Sequence, residues 1–252
     1  MDKIKKFEIS YNINELPPPF SHQYLIKGTL EEDSPYIDFN VQYTNREELT
    51  EEEIYEEGFS PDDDFTWQGN LKPVWGKEIQ KVLSNIKLKK NPTADIHLKV
   101  TDQQGNIHEG SPKAEHFRFF VEELIQAVYV TTGKEVPFTI AIRKIKDKQT
   151  DYLLHLTPDF SEKKVLVSVF KDKGSEVKME YPWENLNALL KDIFSLDFFP
   201  EDALEKKPKN AGTYIDPGEG LWYKFGESAK NPENMQTLQK LDKLFDQLAS
   251  HG

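Results

Sequence analysis

The chain has 252 residues, 44 acidic and 32 basic, for a net charge of −12; 37% are hydrophobic, with 16 Phe, 10 Tyr and 4 Trp. That content supports a real core, in one large domain or two small ones, and excludes a globally disordered chain. The lack of cysteine excludes disulfides, thiol nucleophiles and cysteine-ligated zinc, and agrees with a reducing compartment.

Residues 7–13 alternate with period two and predict a half-buried strand. Pro17-Pro18-Pro19 has no flanking base and reads as a stiff polyproline II connector rather than a ligand for a proline-binding domain. Residues 22–30 predict a second strand, with a bulge at Gly28. Residues 36–44 predict a third, with Ile37, Phe39, Val41 and Tyr43 on one face. Residues 64–68 predict a short fourth strand. Trp75, Ile79, Val82, Leu83 and Ile86 then mark the apolar face of a helix starting near Pro73.

A hairpin is expected from 94–100 and 106–109 across Gln103-Gln104-Gly105. Phe117, Phe120, Val121, Leu124, Ile125 and Val128 predict a long core helix that Gly133 ends. Four strands follow at 137–145, 152–157, 164–170 and 176–181, joined in pairs by loops 146–149 and 171–175. A helix from about Pro182 carries Trp183, Leu186, Leu189, Leu190 and Ile193. Residues 200–220 read as irregular, and 221–225 as a short strand or aromatic plug. Asn231-Pro232-Glu233 predicts an N-cap with proline at N1, opening a last helix that packs on the body or on a second subunit.

The negative charge is local. Residues 31–64 hold 14 of the acids and a single base, Arg46, so the rest of the chain is nearly neutral. Inside this block, Thr50 and Glu53 form a capping box, and Leu49 and Ile54 occupy the positions of a hydrophobic staple. Glu51 and Glu52 lie in the first turn, where the helix dipole favours anions. Glu56 and Glu57 lie in the last turn, and Gly58 offers a left-handed stop. A two-turn helix over about 51–57 is expected, in an exposed acidic insert at 45–64.

No nucleophile elbow, Walker loop, dinucleotide fingerprint or metalloprotease helix is present, and nothing calls for a cofactor. His97 and His108, on the two arms of the predicted hairpin, could face each other as a metal pair; ordinary sheet histidines are the plainer reading. Asp62, Asp63 and Asp64 could take a hard cation such as calcium, but lack EF-hand spacing, so a solvated loop is the default. Arg143, Lys144, Lys146 and Lys148 lie close together, with Tyr152 and Phe170 near enough in sequence to stack bases. Lysines at loops and edges also guard strands against pairing.

A shift of 128 sets Tyr24-Leu25-Ile26 on Tyr152-Leu153-Leu154, Ile37 on Val165, Phe39 on Val167 and Val41 on Val169. A shift of 107 matches Ile79, Val82, Leu83 and Ile86 to Leu186, Leu189, Leu190 and Ile193. The expectation is an internal duplication of a ββββα unit, against the alternative that any two meanders followed by a helix look alike. This element order resembles the Whirly and PUR-type single-stranded nucleic-acid-binding families over about residues 7–87 and 136–195. The likeness is in element order, with no family motif matched.

The expected fold is α+β, antiparallel β-meanders packed against helices. The expected segments are a first ββββα unit at 1–90, a hairpin-plus-helix connector at 91–133, a second ββββα unit at 134–199 and an irregular tail at 200–252 ending in a helix. The expected core includes Phe39, Val41, Trp75, Leu83, Phe117, Leu124, Val128, Val167, Trp183, Leu190 and Ile193. With no signal-type apolar run and no span of ~18 apolar residues, a cytoplasmic protein without a membrane partner is expected. The favoured function is a non-enzymatic binding or adaptor protein that meets a basic protein partner through Glu51, Glu52, Glu53, Glu56 and Glu57. Two alternatives stay open. One is single-stranded nucleic-acid binding on a sheet face through Arg143, Lys144, Lys146 and Tyr152; the other is an enzyme without a legible motif.

Overall fold

The computed structural model describes residues 3–251 other than 14, 31, 32, 92, 113, 114, 136, 137, 147–150 and 172–174; of Glu115, His116, Ser175 and His251 only the backbone is described. Glu31 of the acidic block, Lys148 of the basic cluster and most of both predicted loops, 146–149 and 171–175, lie outside the described residues. The fold is α+β, with antiparallel sheets packed on helices. The chain divides into two compact units, 1–135 and 136–252.

The first unit is built on a seven-stranded sheet. Its strands are β1 (Ile4–Ile13), β2 (His22–Thr29), β3 (Tyr36–Tyr43), β4 (Phe65–Asn70), β5 (Leu88–Lys89), β6 (Ile96–Asp102) and β7 (Ile107–Pro112). They lie in the order β4-β3-β2-β1-β6-β7-β5. Helices α1 (Glu51–Glu56), α2 (Pro73–Asn85) and α3 (Glu115–Thr132) complete it. Period-two alternation puts Phe7, Ile9, Ile26, Ile37, Phe39, Val41, Leu98 and Val100 on one face, all buried. Trp75, Ile79 and Leu83 recur every four residues along α2 and are fully buried. Each such side chain contributes about 1.5–3 kcal/mol of burial. Trp75 meets Phe120 of α3 at 6.3 Å, and Phe39 meets Tyr129 of α3 at 5.7 Å.

Several local expectations change. The 91–133 segment is no connector: β6 pairs with β1, so the hairpin extends the first sheet. Gly28 makes no bulge, keeping regular register with Phe7 and Ile37. Glycine is needed there because a Cβ would stand 2.0 Å from the Phe7 ring. Residues 17–21 form a turn rather than polyproline II, with the Phe20 and Ser21 amides both donating to the Pro17 carbonyl.

The opposite face of this sheet is polar. Cross-strand register lines up Asp38, Lys27, Glu8, Lys99 and Glu109 in one row across five strands, with signs alternating. Lys27 Nζ lies 3.8 Å from Glu8. Opposite charges paired this way each contribute about 0.2–1 kcal/mol.

The second unit carries β8 (Ile140–Ile145), β9 (Asp151–Asp159), β10 (Lys164–Lys171), β11 (Ser175–Tyr181), α4 (Leu186–Phe194), β12 (Asp197–Phe198), β13 (Gly212–Asp216), β14 (Tyr223–Lys224), β15 (Ala229–Lys230) and α5 (Gln236–His251). Its main sheet has the order β11-β10-β9-β8-β13-β14, and β12 pairs with β15. The tail is therefore part of this unit. Thr213 and Ile215 of β13 extend the buried face beside β8, and Leu241, Phe245 and Ala249 of α5 enter the same core. Trp183 and Leu190 pack at the rim, only partly buried. Asn231 does not cap α5. Its Oδ1 accepts the Asn234 amide at 2.8 Å, building a turn five residues ahead of the helix.

Both units run as a four-strand meander, a helix, then further strands laid on the meander's first strand and a closing helix. The residue correspondence is not one shift. Ile26 pairs with Phe39, whereas Leu154 pairs with Val169, two positions beyond the match that a shift of 128 requires. The buried residues of α4 are Leu186, Leu189 and Ile193, against the four-residue spacing in α2.

Candidate partner-docking site

The acidic insert leaves β3 at Asn45, in the left-handed region at φ 61°. A 3-10 turn, Arg46–Glu48, leads to α1. The capping box is present: Thr50 Oγ1 accepts the Glu53 amide at 3.3 Å, and Glu53 accepts the Thr50 amide at 2.8 Å. Ile54 is the buried residue of α1, and Gly58 at φ 80° follows the helix. Glu51, Glu52, Glu53, Glu56 and Glu57 are exposed. Among the described residues none of Glu51, Glu52, Glu56 and Glu57 has an ion-pair partner.

The insert's one base holds it to the sheet. The Arg46 guanidinium lies 3.9 Å from the Tyr43 ring centroid and 5.1 Å from that of Phe59. It donates to the Ser60 carbonyl, to Asp63 Oδ2 at 3.1 Å and to the Pro19 carbonyl at 3.4 Å. Its side chain is only 9% exposed. Asp63 also accepts the Ser60 amide at 2.8 Å and hydroxyl at 2.9 Å, while Asp64 accepts the Tyr43 amide at 2.8 Å. Two of the three consecutive aspartates thus serve as internal clasps, and Asp62 is exposed. They diverge instead of converging on a cation, and among the described residues no group of three His, Asp or Glu has metal-holding geometry.

Next to this clasp a continuous aromatic cluster runs along the buried face of the sheet. Phe39 contacts Tyr24, Phe65 and Tyr129 at centroid distances of 5.8, 6.0 and 5.7 Å. Tyr43 meets Phe59 at 5.8 Å and His22 at 5.4 Å. The cluster opens as a cleft of about 310 Å³ lined by Val41, Tyr43, Gly58, Phe59, Asp63, Phe65, Tyr129, Lys134 and Glu135. Gly133 at φ 69° turns the chain off α3, and the Lys134 amide bonds the Tyr129 carbonyl at 3.0 Å. This turn puts Lys134 Nζ 4.7 Å from the Phe65 ring centroid. Burial raises the phenols of Tyr24, Tyr43 and Tyr129, so all three are neutral at physiological pH.

Burial alone would raise the Asp63 carboxyl, but the Ser60 amide and hydroxyl and the Arg46 guanidinium outweigh it and hold it below the usual range. A depressed folded pKa adds stability that is complete above the unfolded value, about 3.9, and is lost as pH falls through the folded one. Amides 46–64 are therefore expected to lose hydrogen-exchange protection, corrected for intrinsic rates, at higher pH than the β3 amides during acidification. Simultaneous loss in both segments would show that Asp63 is not the clasp.

The other sequence candidates are dispersed. His97 shares the polar face with Lys99, whereas His108 pairs opposite Val100 on the buried-face parity, so the two histidines do not face each other. His97 Nδ1 lies 3.4 Å from Ser111 Oγ, and His108 Nε2 lies 3.5 Å from Asp102. The basic cluster splits by strand parity. Lys144 and Tyr152 lie on the face that packs on α5. Lys144 Nζ donates to both Asp242 oxygens at 2.9 Å and to Asp246 Oδ2 at 2.7 Å. The Tyr152 hydroxyl donates to Asp246 Oδ1 at 3.0 Å, and Thr213 Oγ1 to Asp242 Oδ1 at 2.8 Å. Arg143 lies on the other face, 2.5 Å from Asp151 Oδ1. Lys146 is exposed just past the end of β8. The face that Arg143 shares carries a small apolar cluster of Ala141, Tyr214, Trp222 and Leu153, with His155 edge-on to Phe170 at 5.3 Å.

Searches against known protein families, curated proteins and solved structures find no match to this chain. No helix among the described residues is long and apolar enough to cross a membrane.

Proposed function

We propose that the chain is a non-enzymatic binding protein that docks a basic protein partner on its acidic insert. The observation that carries this reading is the contrast inside the insert. Arg46, Asp63 and Asp64 are spent on holding it in place, while the carboxylates of α1 are exposed and have no ion-pair partner among the described residues. A fixed display of like charge steers an opposite partner and lowers the ordering cost of binding. The nucleic-acid alternative has less support. Two of its four residues, Lys144 and Tyr152, are already bonded to Asp242 and Asp246, and Arg143 is paired with Asp151.

The test is fluorescence anisotropy with a labelled lysine-and-serine peptide at low and physiological salt. Changing Glu51, Glu52, Glu53, Glu56 and Glu57 to Gln keeps the capping box and is expected to weaken binding about tenfold, with a flatter salt dependence. A control changes the exposed Glu176, Glu180, Glu184, Glu201 and Glu205 to Gln. It matches the change in net charge and should bind within about twofold of the unmodified chain. Equal weakening by both variants would reduce the effect to net charge and sink the proposal. Tight binding of a labelled single-stranded oligonucleotide, lost on changing Arg143 and Lys146, would favour the alternative.

A further inference from the structure

We infer that the aromatic cleft at the root of the insert is a seat for one lysine or arginine side chain of the basic partner, and that Lys134 occupies this seat until the partner displaces it. The inference rests on the acidic-insert reading and assigns it a specific subsite.

The cleft offers ring faces to a cation. Tyr43, Phe59, Phe65 and Tyr129 line it, with Asp63 and Glu135 at its polar side. Aromatic faces attract cations within about 6 Å of the centroid. The rings lining the cleft already hold two cations in this way, Arg46 over Tyr43 and Phe59 and Lys134 over Phe65. The two cations are held differently. The Arg46 side chain is largely covered and is locked by Asp63 and two carbonyls. Lys134 is exposed, and no carboxylate among the described residues pairs with it. A strongly hydrated ammonium on a flexible stem, held by one ring, is an exchangeable occupant. Charge selects what replaces it, because residues 47–64 carry ten acids and no base. The partner's backbone would follow α1 while one basic side chain turns into the cleft.

The experiment uses the full chain and two labelled peptides, one carrying a single arginine between neutral polar residues and one with citrulline in its place. Lys134→Ala vacates the seat and is expected to tighten the arginine peptide about fivefold. Lys90→Ala removes an exposed charge elsewhere and should leave affinity unchanged. Phe65→Leu keeps the apolar volume, removes the ring face and should loosen the arginine peptide by about fivefold. The citrulline peptide should respond to neither. Equal responses to Lys134→Ala and Lys90→Ala, or unchanged binding in Phe65→Leu, would overturn the seat. Should only the five-glutamine insert variant lose binding, the insert reading stands and the seat is wrong. Should that variant bind as tightly as the unmodified chain, the reading beneath both is wrong.

Discussion

Replacing Asp242 and Asp246 together by alanine is expected to destabilise the second unit by about 3–5 kcal/mol, the cost of leaving a buried charge without its partners. The Lys144 side chain is only 10% exposed, and among the described residues these two carboxylates accept its three hydrogen bonds. Burial alone would lower the Lys144 pKa, but Asp246 and Asp242 more than offset it and hold it above the usual lysine value. A raised folded pKa adds stability that is complete below the unfolded value, near 10.4, and is lost as pH rises through the folded one. The network is therefore intact at neutral pH, and the deficit of the double variant should shrink in strong alkali. Hydrogen exchange of the β8 and α5 amides measures the loss. Adding Lys144→Met to the double variant should restore at least about half of it, because the penalty lies in the stranded charge. A triple variant no more stable than the double would show that packing, not charge, fastens α5 to the sheet.

Arg46→Ala is expected to cost about 2–4 kcal/mol, felt almost wholly in the insert. It strands Asp63, whose side chain is 31% exposed, and removes the cation lying over Tyr43 and Phe59. Amides 46–64 should then exchange near the rate of local unfolding. Peptide affinity should fall as well, though no exposed carboxylate has changed, because the acids are no longer held in one arrangement. Arg46→Lys should rescue little, since an ammonium cannot reproduce the planar fork that reaches Ser60, Asp63 and Pro19 together. Full protection of the insert in Arg46→Lys would reduce the clasp to simple charge neutralisation.

Local chemistry was legible in the sequence wherever a few neighbouring residues decide the conformation. Thr50 and Glu53 predict their own capping box, Gly58 and Gly133 their left-handed stops, and Pro73 the first residue of α2. What failed depended on distant partners. Residues 212–216 read as part of a turn-rich tail, because a five-residue strand between Gly212 and Asp216 has no periodicity of its own and is stabilised by pairing with β8. Strand parity was available for the basic cluster. Lys144 continues the stripe of Ile140 and Ile142, and Tyr152 that of Leu154 and Leu156, so both belong on the covered side. Asp242 and Asp246, one turn apart beside Leu241 and Phe245, carried the matching signal. Arg46 also stood out, as the one base in an acidic block, between Tyr43 and Phe59. The cleft itself was not legible, since Tyr129 and Lys134 reach Phe65 only after α3 has folded onto the sheet.

The row Asp38, Lys27, Glu8, Lys99 and Glu109 also bears on how the first sheet avoids misassembly. A strand slipped by one residue turns its apolar side chains to water, so the hydrophobic pattern rejects it. A slip of two residues keeps every apolar side chain on the buried face, and burial discriminates poorly against it. In one direction such a slip sets Lys6 against Lys27 or Lys99, and in the other it sets Glu8 against Thr29 or Thr101. Either way the alternating row is broken, and in the first case like charges meet. The polar face thus supplies the discrimination that the core cannot, and its charges act as a record of correct alignment during folding.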